Sequence, residues 1–297
     1  MKFLWPALCA LLSCAPALAA ERACPADALG TSRTMAVGAE GGLAVGLKSY
    51  PRALDLADRE IVLTFDDGPV PGTTDRILDA LAQECVKATF FLIGRNAAAN
   101  PALARRELAE GHTIAHHSFS HPEKTLRGLK PEAAKADLLK GMMAVDKAVY
   151  GAAVEGAPRT PFFRFPGFAD TPALLATLDG MNVATFGADF WASDWKQMTP
   201  QAQLELTLSR LEDARRGILL FHDSRQQTVD MLPAFLRELK KRGYRIVHLV
   251  PGPGRAPTVA AGPGWTSETD RIIASKAYSG AKARPQPKPA AAPAPQR

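Results

Sequence analysis

The sequence predicts an α/β fold, an incomplete barrel of parallel strands. Three observations lead there. Seven short apolar runs punctuate residues 58–250. Stretches with helical character separate them. Chemically versatile side chains gather just past the ends of the runs, where a parallel α/β sheet presents its ligand.

The strand-like runs are Ile61–Phe65, Ala88–Ile93, Phe162–Phe165, Val183–Phe186, Gly217–Phe221 and Tyr244–Val250, with a weaker one at His112–His116. Near-continuous apolar runs fit strands covered on both faces. Helix-like stretches lie near 74–84, 100–110, 131–150, 171–179, 200–216 and 227–242. Leu204, Leu206, Leu208 and Leu211 carry helical apolar spacing, as do Met231, Leu232, Phe235 and Leu239. Pro131 and Pro200 suit first helical turns. Seven alternating units within residues 58–250 favour an incomplete barrel over an open doubly wound sheet.

The flanks differ in composition. Residues 1–20 open on Met1 and Lys2, continue through the apolar stretch Phe3–Leu12, and end near the small-x-small triplet Ala17-Leu18-Ala19. This reads as a cleaved export signal, placing the mature chain in a periplasmic or extracellular setting. A membrane anchor is the competing reading, but the apolar run is short of the roughly 20 residues a spanning helix needs. A lipoprotein reading at Cys14 is weaker, because the small-x-small site lies just beyond it. Removing the signal removes Cys9 and Cys14 and leaves Cys24 and Cys85, a natural disulfide in an oxidising compartment. Residues 21–57 read as an irregular arm, and 251–297 as a disordered, Pro/Ala-rich basic tail. That tail holds seven Lys or Arg against two acids, most of the net charge of +6. It reads as a solvating tail, or else as an attachment to an anionic envelope polymer. The body before it is near neutral, which argues against nucleic-acid binding. No later stretch is apolar enough to span a bilayer.

Five polar clusters follow strand ends. Thr64-Phe65-Asp66-Asp67-Gly68-Pro69 places two adjacent carboxylates after the first strand, although Asp-Asp-Gly-Pro alone could be a plain loop. Four of the six histidines fall within residues 112–121. His117 and His121 are four apart, so on a helical turn they would share a face and could grip one ion. His112 and His116 read as supporting or structural groups. Two imidazoles and one carboxylate suit zinc-like divalent ions and leave positions open for water and substrate. Arg164 lies in the apolar run Phe162–Phe165 and needs an anion if buried, with Asp66 and Asp67 the candidates by topology. Asp189-Phe190-Trp191-Ala192-Ser193-Asp194-Trp195 combines acids and aromatics, as a sugar-facing wall or a packed Trp pair. His222-Asp223 ends the strand Gly217–Phe221. Five such clusters at strand ends are hard to explain by packing alone.

In order and spacing, Thr64–Pro69, His117-Ser118-x-x-His121, the Arg164 strand, Asp194-Trp195 and Leu220-Phe221-His222 resemble the five motifs of the polysaccharide deacetylases, carbohydrate esterase family 4. The resemblance covers roughly residues 58–250. It implies a distorted (β/α)7-8 barrel of parallel strands in a single catalytic domain. It also implies a divalent metal, most often Zn2+ with Co2+ or Mn2+ as alternatives, held by Asp67, His117 and His121. Asp66 would be the general base and His222 the general acid. Arg164 would pair with Asp66, and Asp194 would support protonated His222. Trp195 and Leu220 would line the acetyl pocket, with Phe168 on the substrate wall. The implied reaction removes N-acetyl groups from an N-acetylglucosamine-containing glycan, with an optimum near neutral or mildly alkaline pH. The chain is expected to act as a monomer on a glycan partner. An O-acetyl esterase and a non-catalytic glycan-binding protein are the competing functions. The third motif departs from the family pattern by Gly167, inserted before Phe168. In the fourth, Trp191 stands where an Asp is usual and Asp189 is displaced.

Overall fold

The computed structural model describes residues 24–275. The segment 1–20, read as an export signal, and the tail beyond 275 lie outside the described residues. The chain runs β1 Thr31–Val37, β2 Ala44–Val45, β3 Arg52–Leu54, β4 Glu60–Asp66, α1 Thr74–Gln83, β5 Thr89–Leu92, α2 Gly94–Ala99, α3 Pro101–Ala109 and β6 Thr113–His116. It continues through α4 Pro131–Tyr150, β7 Phe162–Phe163, α5 Pro172–Gly180, β8 Ala184–Phe186, β9 Phe190–Trp191, α6 Pro200–Ala214 and β10 Gly217–His222. The last elements are α7 Gln226–Lys241, β11 Arg245–Pro251, β12 Thr258–Ala260 and α8 Glu268–Ser275.

All pairings in the main sheet are parallel, with the order β1-β11-β4-β5-β6-β7-β8-β2, and β10 lies against β4 and β9. The expected parallel α/β architecture is therefore present. Side chains on each strand alternate between two cores. Val62, Phe91, Ala115, Phe162, Ala184 and Ile218 meet in one cluster contributed by successive strands, the interior of the barrel. Their neighbours Ile61, Leu63, Phe65, Phe90 and Leu92 instead pack under the helices, among them Leu78, Leu81, Phe235 and Leu239. The ladder does not close on itself between β2–β8 and β9–β10. Asp189 bridges that gap: its carboxylate accepts from Leu47 N–H at 2.9 Å and Ile218 N–H at 2.7 Å. The displaced acid of the fourth cluster thus ties backbone across the barrel opening.

Two flanks differ from the sequence expectation. The arm at 21–57 contains β1, which extends the sheet beside β11. Its burial pattern is mostly exposed, with only its end packed inward, so it lacked the continuous apolar run of the central strands. The segment 251–275, expected to be disordered, forms β12 against β3 and then α8. Cys24 and Cys85 are joined, with α-carbons 5.9 Å apart. The bridge fastens the arm to the turn after α1, where Gly30 N–H also donates to the Glu84 carbonyl. No described helix is long and apolar enough to cross a membrane.

Candidate active site

The site begins at the end of β4. Here β4 and β10 run in register, with His222 beside Asp66 and Leu220 beside Thr64. Asp66 closes the strand, and Asp67 follows in a left-handed conformation, φ +82°; both carboxylates line one cavity, each with an oxygen 3.7 Å from His117 Nε2. Gly68 comes next, joined to Pro69 by a cis bond. A side chain at Gly68 would meet the buried Asp223 carboxylate at 2.0 Å, so only hydrogen fits. Asp223 accepts from Thr74 Oγ1 at 2.6 Å, and burial pushes its carboxyl up to about 7.

His117 and His121 do converge with Asp67, but not on a helical turn. They occupy an irregular loop after β6, with Ser118 at φ +62° and His121 at φ +44°. Sequence separation by four suggested a helix; the left-handed residues produce the convergence instead. The loop is fixed from outside. Asp137 on α4 accepts from the N–H groups of Phe119 and Ser120, and Ser118 Oγ accepts from His121 N–H. Gly141 on α4 allows the close approach, since a Cβ there would lie 2.3 Å from the Ser118 backbone.

One oxygen or nitrogen from each of Asp67, His117 and His121 lies within 4.8 Å of the others. Asp67 Oδ1 is 3.7 Å from His117 Nε2 and 3.5 Å from His121 Nε2. His117 Nδ1 donates to the Arg164 carbonyl at 2.7 Å, which leaves Nε2 as a lone pair facing Asp67. Burial pulls the His117 imidazole down to about 4, so it stays neutral. Burial opposes charge on Asp67, but neighbouring positive charge, that of His222 foremost and Arg225 with it, outweighs it and holds the carboxyl below its ordinary value. Asp67 Oδ1 is buried without a hydrogen-bond partner. Such an oxygen is costly unless something positive meets it. An orphaned carboxylate oxygen beside an imidazole lone pair fits a divalent cation.

Arg164 is fully buried beneath this cluster. Its Nη1 donates to Asp66 Oδ1 at 2.7 Å and Thr64 Oγ1 at 2.9 Å. Its Nη2 donates to the Gly187 carbonyl at 2.9 Å. Of the two acids, then, Asp66 is its partner. Asp66 Oδ2 remains turned toward His117 Nε2, 3.7 Å away. Across the site, His222 Nδ1 donates to Asp194 Oδ1 at 2.7 Å. Asp194 Oδ2 accepts from the His222 N–H and from Thr228 Oγ1. Burial works to lower the His222 pKa, but Asp194 outweighs it and pushes it up to about 10.

These groups share a cavity of about 260 Å3 with Trp195, Leu220 and Phe168. Gly167, at φ +59°, precedes Phe168, whose ring stacks on Trp191 at 6.0 Å between centroids. Trp191 meets Trp195 edge-on at 5.7 Å, and Trp195 meets His222 at 5.8 Å. The two motif departures thus form one aromatic wall. Four lining residues escaped the sequence reading: Arg225, Thr269, Ile272 and Ile273. Arg225 follows His222-Asp223 closely enough to have been weighed with them. The other three sit at helical spacing inside a segment whose Pro and Gly content masked it.

The profile of the polysaccharide deacetylase family matches residues 54–184. A chitooligosaccharide deacetylase of a Bradyrhizobium species is 34% identical over 203 residues, 63% of this chain and 88% of that protein. The chain belongs to the polysaccharide deacetylase family. Among its relatives, a peptidoglycan-N-acetylglucosamine deacetylase of Listeria monocytogenes is 30% identical over 190 residues, 64% of this chain but 38% of that protein's length. A solved peptidoglycan deacetylase of Bdellovibrio bacteriovorus superposes with a TM-score of 0.65 at 32% identity, covering 74% of this chain and 59% of that one.

Proposed function

We propose that this protein is an exported, metal-dependent hydrolase that removes N-acetyl groups from glycans containing N-acetylglucosamine. The observation that carries the reading is the meeting, around one cavity, of a cation-ready triad, an Arg-paired carboxylate and an Asp-paired histidine. Relatives named for peptidoglycan and for chitooligosaccharide deacetylation support the substrate class.

Asp67, His117 and His121 would hold the ion, zinc first by donor type, with cobalt or manganese as substitutes. Bound there, it would polarise the amide carbonyl and acidify water. Asp66 is the base. Arg164 occupies Oδ1, so Oδ2 is left to take the proton of the attacking water. His222 is the acid. Its Nδ1 proton is committed to Asp194, so Nε2 delivers the proton to the departing sugar nitrogen. Trp195, Leu220 and Phe168 exclude water and seat the acetyl methyl.

The test is acetate release from chito-oligosaccharides, peptidoglycan and acetylated xylan, with a chelator and with restored Zn2+. Release from the first two, abolished by chelator and restored by metal, is the expected result. Release from xylan alone would make the protein an O-acetyl esterase. Metal and glycan binding without release from any substrate would make it a binding protein.

A further inference from the structure

The C-terminal segment returns to the active site although the sheet is already complete at β11. It lies outside the residues that the family profile matches. Gly262–Ser267 crosses to the loop between β2 and β3, and α8 then runs past the cavity. The fastening is specific. Trp265 Nε1 donates to the Leu47 carbonyl at 2.8 Å. Thr269 N–H donates to the Lys48 carbonyl at 3.0 Å, and its hydroxyl lies 2.9 Å from Ser49 Oγ. Lys48 pairs with Glu268, and Arg127 lies 3.6 Å from Asp270. The receiving loop is itself held to the barrel opening, through Leu47 N–H on Asp189 and Lys48 N–H on the Ala188 carbonyl.

This anchoring places Ile272 and Ile273 on the cavity lining. Ile272 is only half-buried and packs on the cluster of Ala188, Trp191 and Leu220. Its outer face borders the space that also holds Asp66, His222 and the triad. Pockets for small ligands combine apolar walls with a few placed polar groups. Here the triad side carries the polar groups, while Trp191, Phe168 and Ile272 form a continuous apolar face. The C–H face of a pyranose ring is the part of an N-acetylated sugar that such a surface covers.

We propose that α8 is a substrate wall: Ile272 contacts the apolar face of the bound sugar and determines affinity for the glycan without joining the chemistry. The proposal rests on the deacetylase reading for its ligand class. A wall residue contributes equally to ground state and transition state, so its loss raises KM and leaves kcat.

The test uses the full chain loaded with Zn2+. Binding of tri-N-acetylchitotriose is followed by calorimetry, and acetate release is measured beside it, for wild type, I272A and I272L. The expected result is a Kd and a KM about tenfold higher in I272A. Its kcat should stay within about twofold, and I272L should recover the affinity. A kcat loss at constant KM would mean that Ile272 acts only through the fold, and would overturn the proposal. So would wild type binding the trisaccharide no more tightly than I272A. If wild type binds but releases no acetate from any substrate, the deacetylase reading fails, while the Kd ratio still decides the wall.

Discussion

Arg164 and Asp66 form a pair that neither residue could sustain alone. The guanidinium is fully buried, and its desolvation is offset by the carboxylate at 2.7 Å and by backbone carbonyls. Breaking a buried pair from one side leaves an uncompensated charge and costs about 3–5 kcal/mol. R164A should therefore melt earlier. It should also cut acetate release at least ~100-fold, because Asp66 loses the guanidinium that occupies Oδ1 and fixes the carboxylate's orientation. Unchanged turnover in folded R164A would refute the base assignment. His222 supplies the pH prediction. Its pKa is raised to about 10 in the metal-free protein, so the imidazole, the proposed acid, stays protonated through neutral pH and loses its proton only as pH climbs toward that value. A cation held by the triad would repel that proton and bring the alkaline limb of kcat nearer neutrality. Asp194 is the main source of the rise, so D194N should move the limb further down. NMR titration of His222 in apo wild type and apo D194N measures the difference, and coincident curves would remove Asp194 from the role.

At the scale of elements, the parallel register of β4 and β10 sets Asp66 and His222 side by side. The metal side depends on a looser contact, the irregular loop after β6 held against α4. Gly141 is the point of closest approach. G141A should push the Ser118–Phe119 backbone outward and separate His121 from Asp67. Zinc affinity should fall tenfold or more by chelator competition, while the helical circular dichroism is retained. Wild-type affinity in G141A would show that the loop adjusts without moving the histidines.

For the whole molecule, the disulfide and the active site occupy opposite ends of the sheet. Cys85 precedes β5, whereas the proposed catalytic groups follow the strands' carboxyl ends. Chain-entropy arguments give a cross-link spanning 61 positions about 4 kcal/mol of stabilisation. The double variant C24S/C85S should unfold at lower denaturant yet keep its kcat/KM per folded molecule. A loss of kcat/KM at full folding would show that the arm reaches the site. The arm has a further duty that composition hid. Its β1 extends the sheet, and its loop at Leu47–Ser49 anchors α8.

The sequence by itself determined the central strands and the chemistry at their ends. Strands covered on both faces must be apolar throughout, and carboxylates and imidazoles clustered after such strands have few structural uses. Ile61–Phe65 and Gly217–Phe221 were legible for the first reason, and Asp66, Asp67, His117 and His222 for the second. Edge and capping elements carry no comparable signature. β1 is exposed along most of its length, and α8 is only eight residues long within a Pro- and Gly-rich segment. Tertiary structure alone decided three matters: that left-handed residues rather than a helical turn gather the histidines, that Asp189 spans the barrel opening, and that Ile272 reaches the cavity. Each depends on contact between segments far apart in the chain, and local periodicity contains no information about which distant surface a residue will meet.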